Sequence, residues 1–292
     1  MAIFDIPAWV KPHLYTGQNF DGLTATDIAD LKHRLTGFAH TTPDVSIVIP
    51  AWNEQDNIYR ALSSLAANKT NYKAEIVVIN NNSTDRTQEL LDMLGVRNYL
   101  QPIQGTPHAR QMGLFKAKGK YHLCADSDTF YPPTWIDAML QPMIKDNTIM
   151  GVYGRYSFIP PPGHSRLSLL PYEWLTGIMI RIRRMNREFI NMLGFNMGFV
   201  TEVGRTTGGF EVSGVRKFDN ARGSEYFVDE AEDGRMALNL QKKGKIKLIT
   251  DERAKVFTSS RRLQAEGGIA KSFVNRFRLH THRMKEYISG RK

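Results

Sequence analysis

The chain alternates short β-branched runs with stretches of helical period. Val45-Ser46-Ile47-Val48-Ile49, closed by Pro50, is a nearly continuous apolar run and predicts a buried strand. Ile58, Leu62 and Leu65 follow at i, i+4 and i+7, one face of a helix. The pair then repeats as a strand from Glu75 to Ile79 and a helix opening near Ser83 that turns Leu90, Leu91 and Leu94 inward. A further helix from about His108 to Lys118 precedes a strand from Tyr121 to Ala125. Strands and helices alternating at this spacing predict an α/β architecture, a largely parallel sheet covered on both faces. Ligands of such a sheet belong beyond the carboxyl ends of its strands. Residues 1–43 read as an extension, with Pro7 and Pro12 early and a short helix bearing Ile28, Leu31 and Leu35 on one face, capped by Thr24 or Thr26.

Three polar clusters hang from those strand ends. They are Pro50-Ala51-Trp52-Asn53-Glu54, Asn80-Asn81-Asn82-Ser83-Thr84-Asp85 and Asp126-Ser127-Asp128. On an extended segment, residues i and i+2 point to the same side, so Asp126 and Asp128 present two carboxylates to one cation. Hard oxygen ligands suit Mg²⁺ or Mn²⁺, and Mg²⁺ prefers one or two carboxylates plus substrate phosphates. An Asp-x-Asp triplet alone also reads as a turn or helix cap. The apolar strand before it and Phe130-Tyr131-Pro132-Pro133 after it supply context.

Together these features resemble the family 2 glycosyltransferases, from about Val45 to Met143 and again from about Gly208 to Ser260, roughly half the chain. The resemblance implies the GT-A fold, a Rossmann-like three-layer α/β/α arrangement around a central, mostly parallel mixed sheet. It implies a catalytic domain over 44–260, with a nucleotide-sugar half over 44–150 and an acceptor half over 151–260. A helical extension, 1–43, precedes it and a basic tail, 261–292, follows. The implied activity moves a sugar from a nucleoside-diphosphate donor, UDP-sugar before GDP-sugar, to an acceptor hydroxyl with inversion. A divalent cation on Asp128, helped by Asp126, would neutralise the departing diphosphate. The opening motif matches Ile49-Pro50-Ala51-Trp52-Asn53-Glu54, which lines the nucleoside pocket in the family, and the Ser83-Thr84-Asp85 turn matches too. An Asp of the family that accepts a hydrogen from the base is replaced here by Asn80 or Asn81, whose oxygen accepts the same hydrogen without charge. That leaves uracil and guanine both open. His108-Ala109-Arg110-Gln111-Met112-Gly113 resembles the family's Arg-Asn-x-Gly segment and so turns Arg110 toward the donor, although a surface charge on a helix reads as well.

Gly208-Gly209-Phe210 and the Glu232-Asp233 pair match the family's acceptor side, where the Asp is the general base. Acids at a helix amino terminus, favoured by its dipole, are the alternative reading of Glu232 and Asp233. Arg261 and Arg262 are candidate diphosphate contacts, or simply solvated arginines. Many relatives add a His here as a further metal ligand, and Thr258-Ser259-Ser260-Arg261-Arg262 has none. Processive relatives carry membrane spans and a Gln-x-x-Arg-Trp motif, absent here, so the resemblance implies addition of a single sugar.

Charge adds one element. The chain of 292 residues carries a net charge of +10, which speaks of acidic partners: nucleotide phosphates, nucleic acid or anionic lipid. No nucleic-acid-binding motif accompanies it, and the acidic pairs would repel a phosphate backbone. The excess gathers in the tail, with seven Lys and Arg from Lys271 onward against the single acid Glu286. Residues 166–187 form a basic amphipathic segment. In a helix opened by Pro171, Trp174, Ile178, Ile182 and Met185 make an apolar stripe beside Arg181, Arg183, Arg184 and Arg187. That stripe either packs on the catalytic domain or a second subunit, or lies on an anionic membrane surface near a lipid-linked acceptor. Residues 211–225 read as a lid over the acceptor site. The lone Cys124, the absence of an apolar leader and the lack of a run near 20 apolar residues predict a cytoplasmic chain, peripheral to the membrane at most. A nucleotidyltransferase would place a Gly-rich, basic phosphate loop after the first strand, where Trp52-Asn53-Glu54 stands. A scaffold that binds nucleotide without turnover remains the other alternative.

Overall fold

The computed structural model describes residues 5–15, 19–212 and 231–289. In chain order, the amino-terminal half comprises α1 (Ala25–Leu35), β1 (Val45–Ala51), α2 (Ile58–Leu65), β2 (Ala74–Asn80), α3 (Thr87–Leu94), β3 (Arg97–Leu100), α4 (Thr106–Lys116), β4 (Tyr121–Cys124), β5 (Thr129–Phe130) and α5 (Trp135–Lys145). The second half continues with β6 (Ile149–Gly154), β7 (Tyr156–Ile159), α6 (Leu170–Arg183), β8 (Met197–Val200), α7 (Thr201–Thr206), α8 (Glu232–Gln241), β9 (Lys245–Ile249), β10 (Val256–Ser259), α9 (Arg261–Ala265), α10 (Ile269–His282) and α11 (Met284–Ser289).

Seven strands form the central sheet in the order β3-β2-β1-β4-β8-β6-β9. β1 pairs in parallel with β2 and β4, β2 with β3, and β6 with β9, while β8 runs antiparallel to both neighbours. The two-residue period of β1 divides its side chains between faces. Ile47 and Ile49 enter the large core with Leu62, Leu90 and Trp135, whereas Val48 packs on the other side with Ala109 of α4. Each such aliphatic side chain contributes about 1.5–3 kcal/mol when fully buried. α4 approaches β1 so closely that a Cβ at Gly113 would lie 2.3 Å from Val48 Cγ1.

The extension joins the same core. Thr24 caps α1 through a capping box with Asp27, and Ile28, Leu31 and Leu35 are buried in the cluster that holds β1. A second sheet, β5-β10-β7, crosses the carboxyl side of β4 and ties residues after β10 to the segment after β4. Ser259 N donates to the Asp128 carbonyl at 3.1 Å, and Thr129 Oγ1 to Thr258 Oγ1 at 2.9 Å. Two helical expectations shift. α4 starts at Thr106, with Pro107 in its first turn. α6 buries Tyr172, Leu175 and Met179 rather than the stripe of Trp174, Ile178, Ile182 and Met185. No helix among the described residues is long and apolar enough to cross a membrane.

Candidate active site

The loops after β1 and β2 are knitted into one rim. Asn53 takes positive φ (+52°), which its short polar side chain tolerates because Oδ1 accepts from Thr84 N at 2.8 Å. Asn53 N donates to Ser83 Oγ at 3.0 Å, Glu54 N to Thr87 Oγ1 at 2.8 Å and Gln55 N to Asp85 Oδ2 at 3.2 Å. Asp85 therefore spends its carboxylate on backbone and Thr87 rather than on open space. Asn80 and Asn81 are buried with their amides engaged. Asn80 Oδ1 accepts from Ser83 N (3.0 Å) and its Nδ2 donates to Gln88 (2.8 Å). Asn81 Nδ2 donates to the Ile103 carbonyl (2.8 Å) while Oδ1 accepts from Gly105 N (2.8 Å). Both amides shape the rim and fix the loop that enters α4.

The carboxylates beyond β4 divide their partners. Asp128 Oδ2 and Glu54 Oε1 converge on a single nitrogen, Nη2 of Arg261, at 2.9 and 2.7 Å. Asp126 Oδ1 instead accepts from Arg110 Nη2 at 2.7 Å. Glu54, rather than Asp126, is the carboxylate that meets Asp128 here, because buried Arg110 claims Asp126. Burial raises the pKa of Glu54, against the opposing pull of Arg261. Tyr131, fully buried, braces this corner. Its hydroxyl accepts from Asp126 N (2.8 Å) and donates to the Phe195 carbonyl (3.0 Å).

Arg110 is not a surface charge. It is 4% exposed, donates to the Gly194 carbonyl at 3.0 Å and stands 3.5 Å from Glu232. Burial opposes its charge, but Asp126, Glu232 and Asp233 outweigh that and raise its pKa. Gly194 is the residue this arrangement requires. A Cβ there would fall 2.4 Å from the Arg110 guanidinium, and its N–H donates to Asp233 Oδ2 at 3.1 Å. Asp233 sits at the start of α8, where Gly234 N also donates to its Oδ1 at 2.8 Å. Burial, then the neighbouring Glu232, push its carboxyl up to about 6 despite those bonds and Arg110. A carboxylate poised this near neutrality suits a general base.

The remaining expected residues are scattered in role. Pro50, Trp52 and Asn53 are partly exposed on the rim, Ala51 and Ser127 are buried beneath it, and Arg262 is exposed. The Phe210 ring is 0% exposed and packs on Phe199, so it anchors this corner in the core, and Gly208 is what reaches the surface. Phe210 N and the Gly209 carbonyl are held by Gln111 (2.8 Å) and Asn239 (3.1 Å). The lid expectation for 211–225 falls, from 213 onward, outside the described residues. Gly194 carries no sequence signal of its own, because its role arises from a contact 39 residues away in the chain, whereas Tyr131 stood out only as part of the run after Asp128 and not for its hydroxyl. Among the described residues, no group of three or more His, Cys, Asp or Glu side chains is placed to hold a metal unaided.

Residues 46–205 match the family model of Glycosyl transferase family 2, more than half of the chain. A chondroitin synthase from Pasteurella multocida (strain Pm70) is 34% identical over 140 residues, 46% of this chain and 14% of that protein. A hyaluronan synthase from the same species is 34% identical over 137 residues, again 14% of its length, so the chain spans a small part of both relatives. Among solved structures, a mannosyltransferase from Pyrobaculum calidifontis in complex with GDP-mannose and Mn²⁺ has a TM-score of 0.54 at 16% identity. That match covers 93% of this chain and 75% of that one. Glucosyl-3-phosphoglycerate synthase from Mycobacterium tuberculosis, in complex with Mn²⁺, UDP-glucose and phosphoglyceric acid, has a TM-score of 0.52 at 17% identity, covering 87% and 82%. These likenesses identify the fold as GT-A, and the family match establishes that the chain belongs to glycosyl transferase family 2.

Proposed function

We propose that the chain transfers a single sugar from a nucleoside-diphosphate sugar, UDP-linked before GDP-linked, to an acceptor hydroxyl with inversion. The product belongs to the assembly of a bacterial-type surface glycan or glycolipid. The observation that carries this reading is a pair of polar chains at the strand ends. One runs from Glu54 through Arg261 to Asp128, the other from Asp126 through Arg110 and Gly194 to Asp233.

Glu54 and Asp128 already close on one positive group, so these two hard carboxylate oxygens would hold a divalent cation together with the donor's diphosphate. When bound, Mg²⁺ or Mn²⁺ supplies charge neutralisation for the departing diphosphate. Arg261, once freed from the carboxylates, would offer its guanidinium to the same diphosphate. The rim from Pro50 to Glu54 holds the nucleoside. Asp233 takes the proton of the acceptor hydroxyl as that oxygen bonds to the anomeric carbon. The bond from that carbon to the phosphate oxygen breaks, and its electron pair leaves with the nucleoside diphosphate. Arg110 and the Gly194 N–H hold the Asp233 carboxylate in place, and Asp126 keeps Arg110 oriented. Gly208 contributes exposed backbone on the acceptor side.

The test is release of nucleoside diphosphate from a panel of UDP- and GDP-sugars with Mn²⁺ or Mg²⁺, with glycan and lipid-linked acceptors supplied. The expected result is turnover of one donor, reduced by at least about 10²-fold in Asp128→Ala and in Asp233→Asn. Donor binding without turnover in the parent would favour a scaffold instead. Release of inorganic pyrophosphate from a nucleoside triphosphate would favour a nucleotidyltransferase.

A further inference from the structure

The helices α6, α10 and α11 leave one side uncovered. α6 packs its Tyr172, Leu175 and Met179 inward, and it touches both α10 and α11. Its opposite side still carries large apolar groups: Trp174 is 71% exposed, and Met185, just beyond the helix, 64%. α10 repeats the arrangement. Ser272 faces in, whereas Val274 and Phe277 are 43% and 49% exposed, with Phe277 stacked on Phe273. Of the eleven large hydrophobic residues exposed among the described residues, six lie between 167 and 288. Single exposed hydrophobics are ordinary, but Trp174, Val274, Phe277 and Ile288 lie on three mutually packed helices, and that grouping marks an interaction surface.

Charge decides what covers it. Arg181 and Arg278 are exposed among these apolar groups, on α6 and α10. The acids of the same segments are spent. Glu173 is bound by Arg166 (2.7 Å) and accepts from Phe158 N (3.0 Å), and Glu286 pairs with Arg283 at 3.1 Å. A nucleic acid would answer the cations but gains nothing from Trp174 and Phe277 at a groove edge. A second copy of the chain would answer the apolar groups but would set like charges against one another. An interface rich in anionic headgroups answers both, since Trp and Phe enter the acyl boundary while Arg and Lys reach the phosphates.

We infer that the outward face of α6 and α10, centred on Trp174 and Phe277 and flanked by Arg181 and Arg278, docks the chain on an anionic lipid bilayer. This surface stands on exposure and charge and does not rest on the proposed transfer reaction.

The experiment is sedimentation of the full chain with vesicles of phosphatidylcholine alone or mixed with phosphatidylglycerol, at low and high salt. Binding is expected only to the mixed vesicles and to weaken with salt. Arg181→Gln with Arg278→Gln should lower the affinity roughly 30-fold, at about 1 kcal/mol per interfacial cation. Trp174→Ser with Phe277→Ser should lower it at least tenfold. Both pairs are exposed, so thermal unfolding should match the parent and separate lost docking from lost folding. The inference is overturned if the mixed vesicles bring down no protein, or if both double variants bind like the parent. Displacement from the vesicles by an equal charge of duplex DNA would also overturn it, in favour of a general polyanion surface. So would a stable dimer that shields Trp174 from an aqueous quencher.

Discussion

At the scale of single residues, the site is organised by two arginines of opposite character. Arg110 is buried and bonded on several sides, a fixed post between the Asp126 and Asp233 carboxylates. Arg261 is half exposed and holds Glu54 and Asp128 by one nitrogen, so it is free to leave. On the proposed reading, a divalent cation and the Arg261 guanidinium would compete for the same two carboxylates. Arg261→Gln should tighten Mn²⁺ binding in the absence of donor, up to about fivefold as one partly exposed ion pair is removed. The same variant should slow transfer, because the diphosphate loses a cation. Titration calorimetry with Mn²⁺ alone checks the first half, and unchanged or weaker binding would exclude the competition. Asp233 gives a second prediction. Its carboxyl titrates at about 6, and only the deprotonated form accepts the acceptor's proton. The acid limb of the kcat/KM profile should therefore fall tenfold per pH unit below about 6. A limb near the usual carboxylate value of about 4 would remove Asp233 from the role of base.

At the scale of elements, the sequence carried the strands best. β1, β2 and β4 are apolar runs ended by polar clusters, and their period needs no tertiary context. The parallel pairing of β1 with β2 and β4, and the placing of ligand groups beyond their ends, followed from that alternation. β3, β6, β8 and β9 went unread. Arg97–Leu100 is a polar edge strand, and Met197–Val200 is a four-residue run whose antiparallel insertion between β4 and β6 is decided by packing. α6 shows why helical periodicity can mislead. Its sequence offers two apolar stripes a few residues apart, and packing selected the one led by Tyr172 because Phe158, Leu169 and Leu263 lie beneath it. The small sheet of β5, β10 and β7 was equally hidden, yet it is what delivers Arg261 to Asp128. In the site, side-chain type was legible and partnership was not. Asp126, Asp128, Arg110 and Glu232-Asp233 stood out by identity. That Arg110 would take Asp126 and leave Asp128 to Glu54 depends on how Gly194 lets the guanidinium approach.

At the scale of the whole molecule, buried imidazoles set the response to acid. His13 is held down to about 4 by burial and Arg34, and His280 to about 4 by burial and Arg183, Arg276 and Arg283. His122, stacked on Phe199 at 4.6 Å, is held down to about 3 by burial, Arg110 and Arg205. Unfolded, each would titrate near 6.5. Between that value and the folded one, the unfolded chain binds protons that the native chain refuses, so these residues contribute stability that is present above 6.5 and lost as pH falls. Asp233 and Glu54 act in the opposite sense. Their raised carboxyls bind protons in the native state first, Asp233 from about 6 downward. Three histidines against two carboxylates leave at least one uncompensated proton, about 1.4 kcal/mol of unfolding free energy per pH unit. Urea unfolding should accordingly show stability falling between pH 6.5 and pH 4.5. His122→Phe isolates one contribution, because an aromatic ring preserves the stack on Phe199 and the His122 Nδ1 it removes has no hydrogen-bond partner among the described residues. That variant should lose stability less steeply over the same range, by about one proton's worth of slope. Parallel curves for the two proteins would mean that His122 is protonated within the fold and that the acid response originates elsewhere.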